Sequence, residues 1–244
     1  MSARDIVAGQ GGAPYRGGPS TCRPPEAEVS MNPETAVPAR RYHKGNVVED
    51  LKFAALRILD TERVEDLSVR RLAREVGVTP ANFYNHFEGL DGLLMALGID
   101  AYHERALLLA HIKRTSKTKA EAFRRLALSY LELALAKPQL FRIMYGLLPD
   151  AQRDPNFRDA SDESMAEIVE IVYGERLHDP SNLDATRERC KVAYGLVALG
   201  VGMARNIVEG VVPFPAERQA DMRRFVESVV QSFIDGELSR LAAS

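Results

Sequence analysis

The sequence predicts an all-α fold in two parts: an N-terminal three-helix unit holding a helix-turn-helix, and a C-terminal helical bundle. Three observations predict it. Beyond residue 45, apolar residues recur at i, i+3, i+4 and i+7 in stretch after stretch, and no run keeps the two-residue alternation of a strand. Capping residues and prolines punctuate those stretches at helix-sized intervals. One pair of short stretches, Leu67 to Phe87, meets at a glycine corner.

Residues 1–39 are rich in Gly, Pro, Ala and Ser and lack apolar periodicity, so they read as a disordered tail, with Met31 a candidate second start. Residues 40–88 form the helix-turn-helix domain. Its first helix spans Asn46 to about Thr61, with Val47, Leu51, Ala54 or Ala55, Ile58 and Leu59 on one stripe. Ser68 N-caps a second helix whose apolar face is Val69, Leu72, Ala73 and Val76, and Gly77 ends it. Thr79 caps a third helix opening on Pro80, where a missing N–H costs nothing, and running to about Phe87. Phe83 and Phe87 share its inner face, and Ala81, Asn82, Asn85 and His86 are left to face outward. From about Leu90 a further helix carries Leu93, Leu94, Leu97 and Ala101. Residues 89–244 then form helices at about 89–112, 117–136, 138–148, 157–174, 185–210 and 215–241.

Two crossed helices with a small residue at Ala73 make a helix-turn-helix, whose second helix lies in the major groove of DNA. Asn82 and Asn85 suit bidentate or water-mediated contacts to adenine, and Ala81 suits a thymine methyl. Thr79, Tyr84 and His86 suit phosphates, together with the N–H groups at the helix start, and Ser68 and Pro80 are counted among the expected DNA-binding residues. A basic arm of Arg40, Arg41, His43 and Lys44 precedes the first helix and suits phosphate contacts, above all through Arg41 and Lys44. Bulk charge lends little support. The chain carries a formal −2, and between Arg40 and Leu90 nine Lys and Arg stand against eight Asp and Glu. Capped helix pairs with a glycine corner also occur in proteins that never meet DNA, which leaves an all-α adaptor or enzyme as the alternative.

The chain resembles the TetR-type transcriptional regulators at Gly77-Val78-Thr79, at Phe83-Tyr84-Asn85-His86-Phe87 and at Leu93-Leu94. The leader Tyr42-His43-Lys44-Gly45-Asn46 and the segment Leu135 to Tyr145 are similar to one subgroup of that family, with a C-terminal domain of the WHG-like kind. Two places depart from it. A phosphate-touching lysine of the family is replaced here by Leu90 or Asp91, and Tyr194 and Ala198 stand where the subgroup has Trp and His. The resemblance implies a double-stranded DNA operator and an effector pocket whose occupation changes the spacing of two recognition helices.

The last two helices present Val192, Leu196, Leu199 and Met203, then Phe225 to Leu241, with Gly195, Ala198 and Gly202 permitting close approach. That stripe is too wide for one neighbour, and a homodimer burying a four-helix bundle is expected. Between the two ends, aromatic and Met residues offer an apolar interior with Tyr hydroxyls, Arg142 or Arg205 as polar handles. Phe141, Met144, Tyr145, Tyr173 and Tyr194 are the expected lining of a small-molecule effector site, for a lipophilic or aromatic compound or an acyl chain. No catalytic motif, cofactor fingerprint or metal-ligand spacing stands out. Cys22 and Cys190 make no disulfide framework, and a cytoplasmic, non-membrane protein is expected, because the apolar run Val192 to Ala204 stops at Arg205.

Overall fold

The computed structural model of the chain describes residues 46–148, 150–212 and 219–243, which form ten α-helices and, among them, no strand. The expected tail and the basic arm with Arg41 and Lys44 lie outside the described residues.

Helix α1 (Val47–Leu59) starts where Asn46 accepts the Glu49 N–H at 3.4 Å, and it buries Leu51, Ala54, Ala55, Ile58 and Leu59. Both alanines lie inward, so the helix sits flat on its neighbours. A 3₁₀ turn, Val64–Asp66, leads into α2 (Val69–Val76), where the Ser68 hydroxyl accepts the Arg71 N–H at 3.4 Å. Gly77 ends α2 at φ 76°, a left-handed conformation that a Cβ would strain, and Val78 N–H closes the corner on the Ala73 carbonyl at 2.9 Å. Helix α3 (Pro80–Tyr84) is shorter than the sequence pattern suggests. Its last turn tightens into i→i+3 bonds from Asn85 to Asn82 and from His86 to Phe83, so those residues close the helix instead of extending it.

Helix α4 (Leu90–Thr115) runs about 39 Å at 1.5 Å per residue and outlasts its expected end at 112. The Thr115 and Ser116 hydroxyls donate back to the His111 and Ile112 carbonyls, which holds its last turn together. Helices α5 (Lys119–Ala136) and α6 (Pro138–Arg142) follow, capped by Thr118 and opened by Pro138 respectively. The expected helix 138–148 stops early, in a π-helical turn over Ile143–Leu147. There Tyr145 takes φ −120°, ψ 27° and Gly146 takes φ 152°. Helix α7 (Pro155–Tyr173) begins two residues before its expected start. Asp154 accepts the Phe157 N–H at 2.9 Å, and Pro155 is a helix opener there, not a separator. The single helix expected over 185–210 is broken at Cys190 (φ −108°, ψ 23°) into α8 (Leu183–Arg189) and α9 (Lys191–Val208). Helix α10 (Gln219–Ala243) completes the chain.

Two hydrophobic cores share α4. The first gathers α1, α2, Phe83, Phe87 and the start of α4 with Leu140, Ile143, Met144 and Phe157. The second gathers α5, α7, α9 and α10 around Leu109, Phe123, Tyr130 and Leu196. Among the described residues, Leu93, Leu97 and Leu140, which follow position 88, belong to the same core as α1 and α2. Close crossings fix the layers: a Cβ at Gly98 of α4 would stand 2.7 Å from the Phe157 ring of α7, and one at Gly200 of α9 would run into the Tyr130 ring of α5.

Candidate functional site

Phe83 is fully buried and packs against Phe87, ring centroids 5.5 Å apart, and this anchor fixes which face of α3 points outward. Ala81, Asn85 and His86 are exposed, as is Tyr84 at 60%. Asn82 is only half-exposed, and its Oδ1 is shielded and without a hydrogen-bond partner. Thr79 accepts the Asn82 N–H at 3.1 Å, so Thr79 and Ser68 both act as caps, and Pro80 occupies the first helical position.

Charges around this unit are largely neutralised in pairs. Arg57 meets Glu75 at 2.5 Å, Arg71 grips Glu62 through two bonds of 2.5 and 2.6 Å, and Lys52 lies between Glu49 and Asp100. The Arg71 guanidinium holds the Glu62 carboxyl below its ordinary range. Arg70 and Arg74 of α2 are exposed and enter no ion pair among the described residues, so α2 keeps two available cations. Sequence counting could not separate these from the paired arginines, because pairing depends on which helix faces which.

Beside the shared core and the Lys52–Asp100 pair, a polar seam ties the unit to α6. Val64 N–H donates to the Gln139 side chain at 3.3 Å, and Arg142 binds Glu65 through bonds of 2.6 and 3.2 Å. Arg142 holds the Glu65 carboxyl down at about 2. On the far side of this seam lies a cavity of about 130 Å³ lined by Phe141, Arg142, Tyr145, Gly146, Leu147, Arg205, Val208 and Glu209. The residues expected to line an effector site therefore part company. Phe141 and Tyr145 face this cavity, rings 4.9 Å apart. Met144 is buried in the first core, where its carbonyl accepts the Tyr102 hydroxyl at 3.0 Å. The Tyr173 hydroxyl accepts the Val192 N–H at 3.2 Å, and Tyr194, half-buried, lies near Arg187 and Asp162. Arg142 and Arg205 do reach the cavity, but each is paired, with Glu65 and with Glu209 respectively.

Sequence reasoning missed Arg105. It occupies the apolar stripe Leu97, Ala101, Leu109, Ile112 of α4 and is 5% exposed. A cation on the buried phase of a helix was the available signal. Among the described residues no cluster of metal-ligating side chains occurs. Helix α9 has the length and mean hydropathy, 1.2, of a membrane span, but Val192, Ala193, Leu196, Gly200 and Ala204 are buried within the bundle.

The described residues thus set a helix-turn-helix beside a helical bundle. Residues 123–233 match the family model of the tetracyclin repressor-like C-terminal domain. An uncharacterized HTH-type transcriptional regulator of Haemophilus influenzae is 34% identical over 84 residues, 34% of this chain and 39% of that protein, so the match spans about two fifths of the relative. A protein of unknown function from Rhodococcus sp. RHA1 superposes with a TM-score of 0.62 at 26% identity, covering 81% of this chain and 98% of its own. The fatty acid degradation regulator FadR of Bacillus halodurans shares the fold at 14% identity, with a TM-score of 0.58 over 78% of this chain and 96% of its own. So does the transcriptional regulator FadR of Bacillus subtilis in complex with stearoyl-CoA, 14% identical, with a TM-score of 0.54 over 77% and 98%. Together the matches show a tetracyclin repressor-like C-terminal region over residues 123–233 and a fold shared with these solved structures.

Proposed function

We propose that the chain is a ligand-responsive transcriptional regulator, acting as a repressor that binds a palindromic operator as a cytoplasmic homodimer and leaves it when a small lipophilic or aromatic effector binds. The observation that carries this reading is α3. It is capped by Thr79, pinned by fully buried Phe83, and presents Ala81, Tyr84, Asn85 and His86 outward. A helix so anchored can enter the major groove as a rigid body. Asn82 and Asn85 read bases in this scheme, while Arg41, Lys44, Arg70 and Arg74 supply phosphate contacts.

Pairing of two copies is supported by the outer faces of α9 and α10. Ala198 and Phe225 are exposed, the latter at 42%, and Leu199, Gly202, Val229 and Phe233 are incompletely covered. A second copy would cover them and set two recognition helices on successive turns of the duplex. The seam of Glu65 with Arg142 and Val64 with Gln139 supports coupling, since Arg142 touches both the effector cavity and the DNA-type unit. One neighbour in the fold, FadR of Bacillus subtilis, holds stearoyl-CoA, and an acyl chain belongs to the lipophilic class proposed here.

The test is selection of duplex DNA by the full chain, followed by titration of the winning sequence at several salt concentrations, with sedimentation of the protein alone. Specific binding that weakens steeply with salt, by a dimer, is expected. A monomer at micromolar concentration that enriches no sequence refutes the reading and leaves the adaptor or enzyme.

A further inference from the structure

Among the described residues, Arg105 is a cation without a counter-ion. Its guanidinium carbon lies 3.8 Å from the centroid of the Tyr130 ring, and Nη1 donates to the Ser129 hydroxyl at a long 3.4 Å. Nη2 is shielded from solvent and has no hydrogen-bond partner, and no carboxylate among the described residues pairs with the side chain. Arginine cannot shed its proton, so the site cannot relieve itself by neutralisation, as a buried lysine would. A buried charge left unpaired weighs against the fold, and the aromatic face of Tyr130 offsets only part of that.

The neighbouring phenols do not supply the missing charge. Tyr102 donates its hydroxyl to the Met144 carbonyl, and burial pushes both Tyr102 and Tyr145 above the ordinary phenol range, so both stay neutral. The Tyr145 hydroxyl is itself shielded and unpartnered. It lies near enough to Arg105 for that positive charge to act on it, against the effect of burial. Two orphaned donors, one ionic and one neutral, thus flank the Tyr130 ring, one from α4 and one from the π-helical turn. Turns of that kind are frequent at functional sites. Tyr145 also lines the cavity beside Phe141. The two cations that line that cavity, Arg142 and Arg205, already hold Glu65 and Glu209, and Arg105 stands outside the lining.

We infer that Arg105 is the counter-ion for the carboxylate of an organic monoacid, which also accepts a bond from the Tyr145 hydroxyl while its apolar body lies in the cavity against Phe141. This rests on the ligand-responsive reading above and narrows its effector to an acid with an aliphatic or aromatic body. A single unpaired guanidinium suits a monoanion better than a phosphate dianion, and the two oxygens of a carboxylate match two donors arriving from different elements. The site also gives the acid a lever, because Arg105 sits on the helix shared by the two cores.

Calorimetric titration of the full chain with octanoate and phenylbutyrate, each against its alcohol, octanol and phenylbutanol, tests the inference. Each acid is expected to bind wild type at least about tenfold more tightly than its alcohol. Arg105→Met abolishes that preference and, having lost an unpaired buried charge, melts without ligand no lower than wild type. Tyr145→Phe weakens the acids severalfold and leaves the alcohols unchanged. Equal binding of acid and alcohol to wild type, no binding of either acid, or an acid preference surviving in Arg105→Met overturns the inference. If Arg105→Met does not fold, unchanged acid affinity in Tyr145→Phe overturns it. Operator binding is measured on the same wild-type preparation: its absence strikes the regulator reading, whereas operator binding with no acid preference strikes the acid site alone.

Discussion

Replacing Gly200 with Ala tests the closest crossing in the bundle. A Cβ there would run into Cδ2 of Tyr130 and stand 3.0 Å from Cε2 and 3.1 Å from Cγ. Tyr130 is 1% exposed and carries the Arg105 guanidinium against its ring, so it has little room to retreat. Overpacking of a tight core destabilises by about 1–3 kcal/mol. The gain in helix propensity from Gly to Ala, about 0.8–1 kcal/mol, works in the opposite direction. With the added Cβ well inside contact distance the overpacking cost lies at the upper end of that range, so a net loss of about 1–2 kcal/mol is expected, which lowers the melting temperature by about 2–8 °C for a chain of this size. Gly202, two residues along the same helix, provides the control. Its added Cβ meets nothing within 4 Å in one copy, so at a dilution where the chain is monomeric Gly202→Ala keeps the propensity gain and melts slightly higher. Differential scanning calorimetry at one fixed protein concentration reads both, since self-association would shift either value. A Gly200→Ala variant as stable as Gly202→Ala would refute the account of how α9 approaches α5.

Phe83→Ala removes the anchor of the recognition helix and is expected to destabilise by about 3–5 kcal/mol in chemical denaturation, with operator binding lost in parallel. Gly77→Ala keeps every contact but forces a left-handed Cβ, for a loss of about 1–2 kcal/mol by the same assay. Asn82→Ala is expected to relax base preference at one operator position at about 1–3 kcal/mol, whereas Lys44→Ala weakens all sequences alike and flattens the salt slope; equal losses on every sequence for both would refute the division of roles. Because Arg142 lowers the folded-state carboxyl of Glu65 to about 2, the stabilising contact is complete above the ordinary carboxylate range and fades only as pH falls toward that value. Glu65→Gln should therefore weaken the effect of effector on operator affinity equally between about pH 6 and 8. A pH-dependent difference from wild type in that window would count against the seam.

Local signals were legible in the sequence wherever one residue settled the matter. Ser68, Gly77, Thr79 and Pro80 announced their caps and corner, and the structure places each in that position. Apolar spacing likewise located all the long helices except where two joined. The break at Cys190 escaped because nothing at that residue forbids a helix: no Pro or Gly marks it. The π-helical turn escaped for the opposite reason, since Ile143 to Leu147 has ordinary helical spacing and only Gly146 hinted at a departure. Candidate effector residues were harder to read. Aromatic and Met side chains at helical spacing look the same whether they fill a core or line a cavity. Met144 and Tyr173 proved committed to internal contacts that depend on elements many residues away. The pairing of Arg142 with Glu65, 77 positions apart, leaves no local trace in the sequence at all.

The bond from Val64 N–H to the Gln139 side chain has a practical consequence for spectroscopy. A backbone amide in a short 3₁₀ turn between two helices would ordinarily trade its proton with solvent quickly. This one is protected only while α6 stays docked on the helix-turn-helix unit, because its acceptor belongs to a residue 75 positions away. Its exchange with deuterium reports local opening of that joint, separately from global unfolding. In ¹⁵N-labelled protein the Val64 resonance is thus a one-residue gauge of docking, and comparing its exchange rate with that of Leu72 in the buried heart of the unit separates undocking from melting. If ligand and operator are coupled through this seam, each will move that rate in the opposite sense.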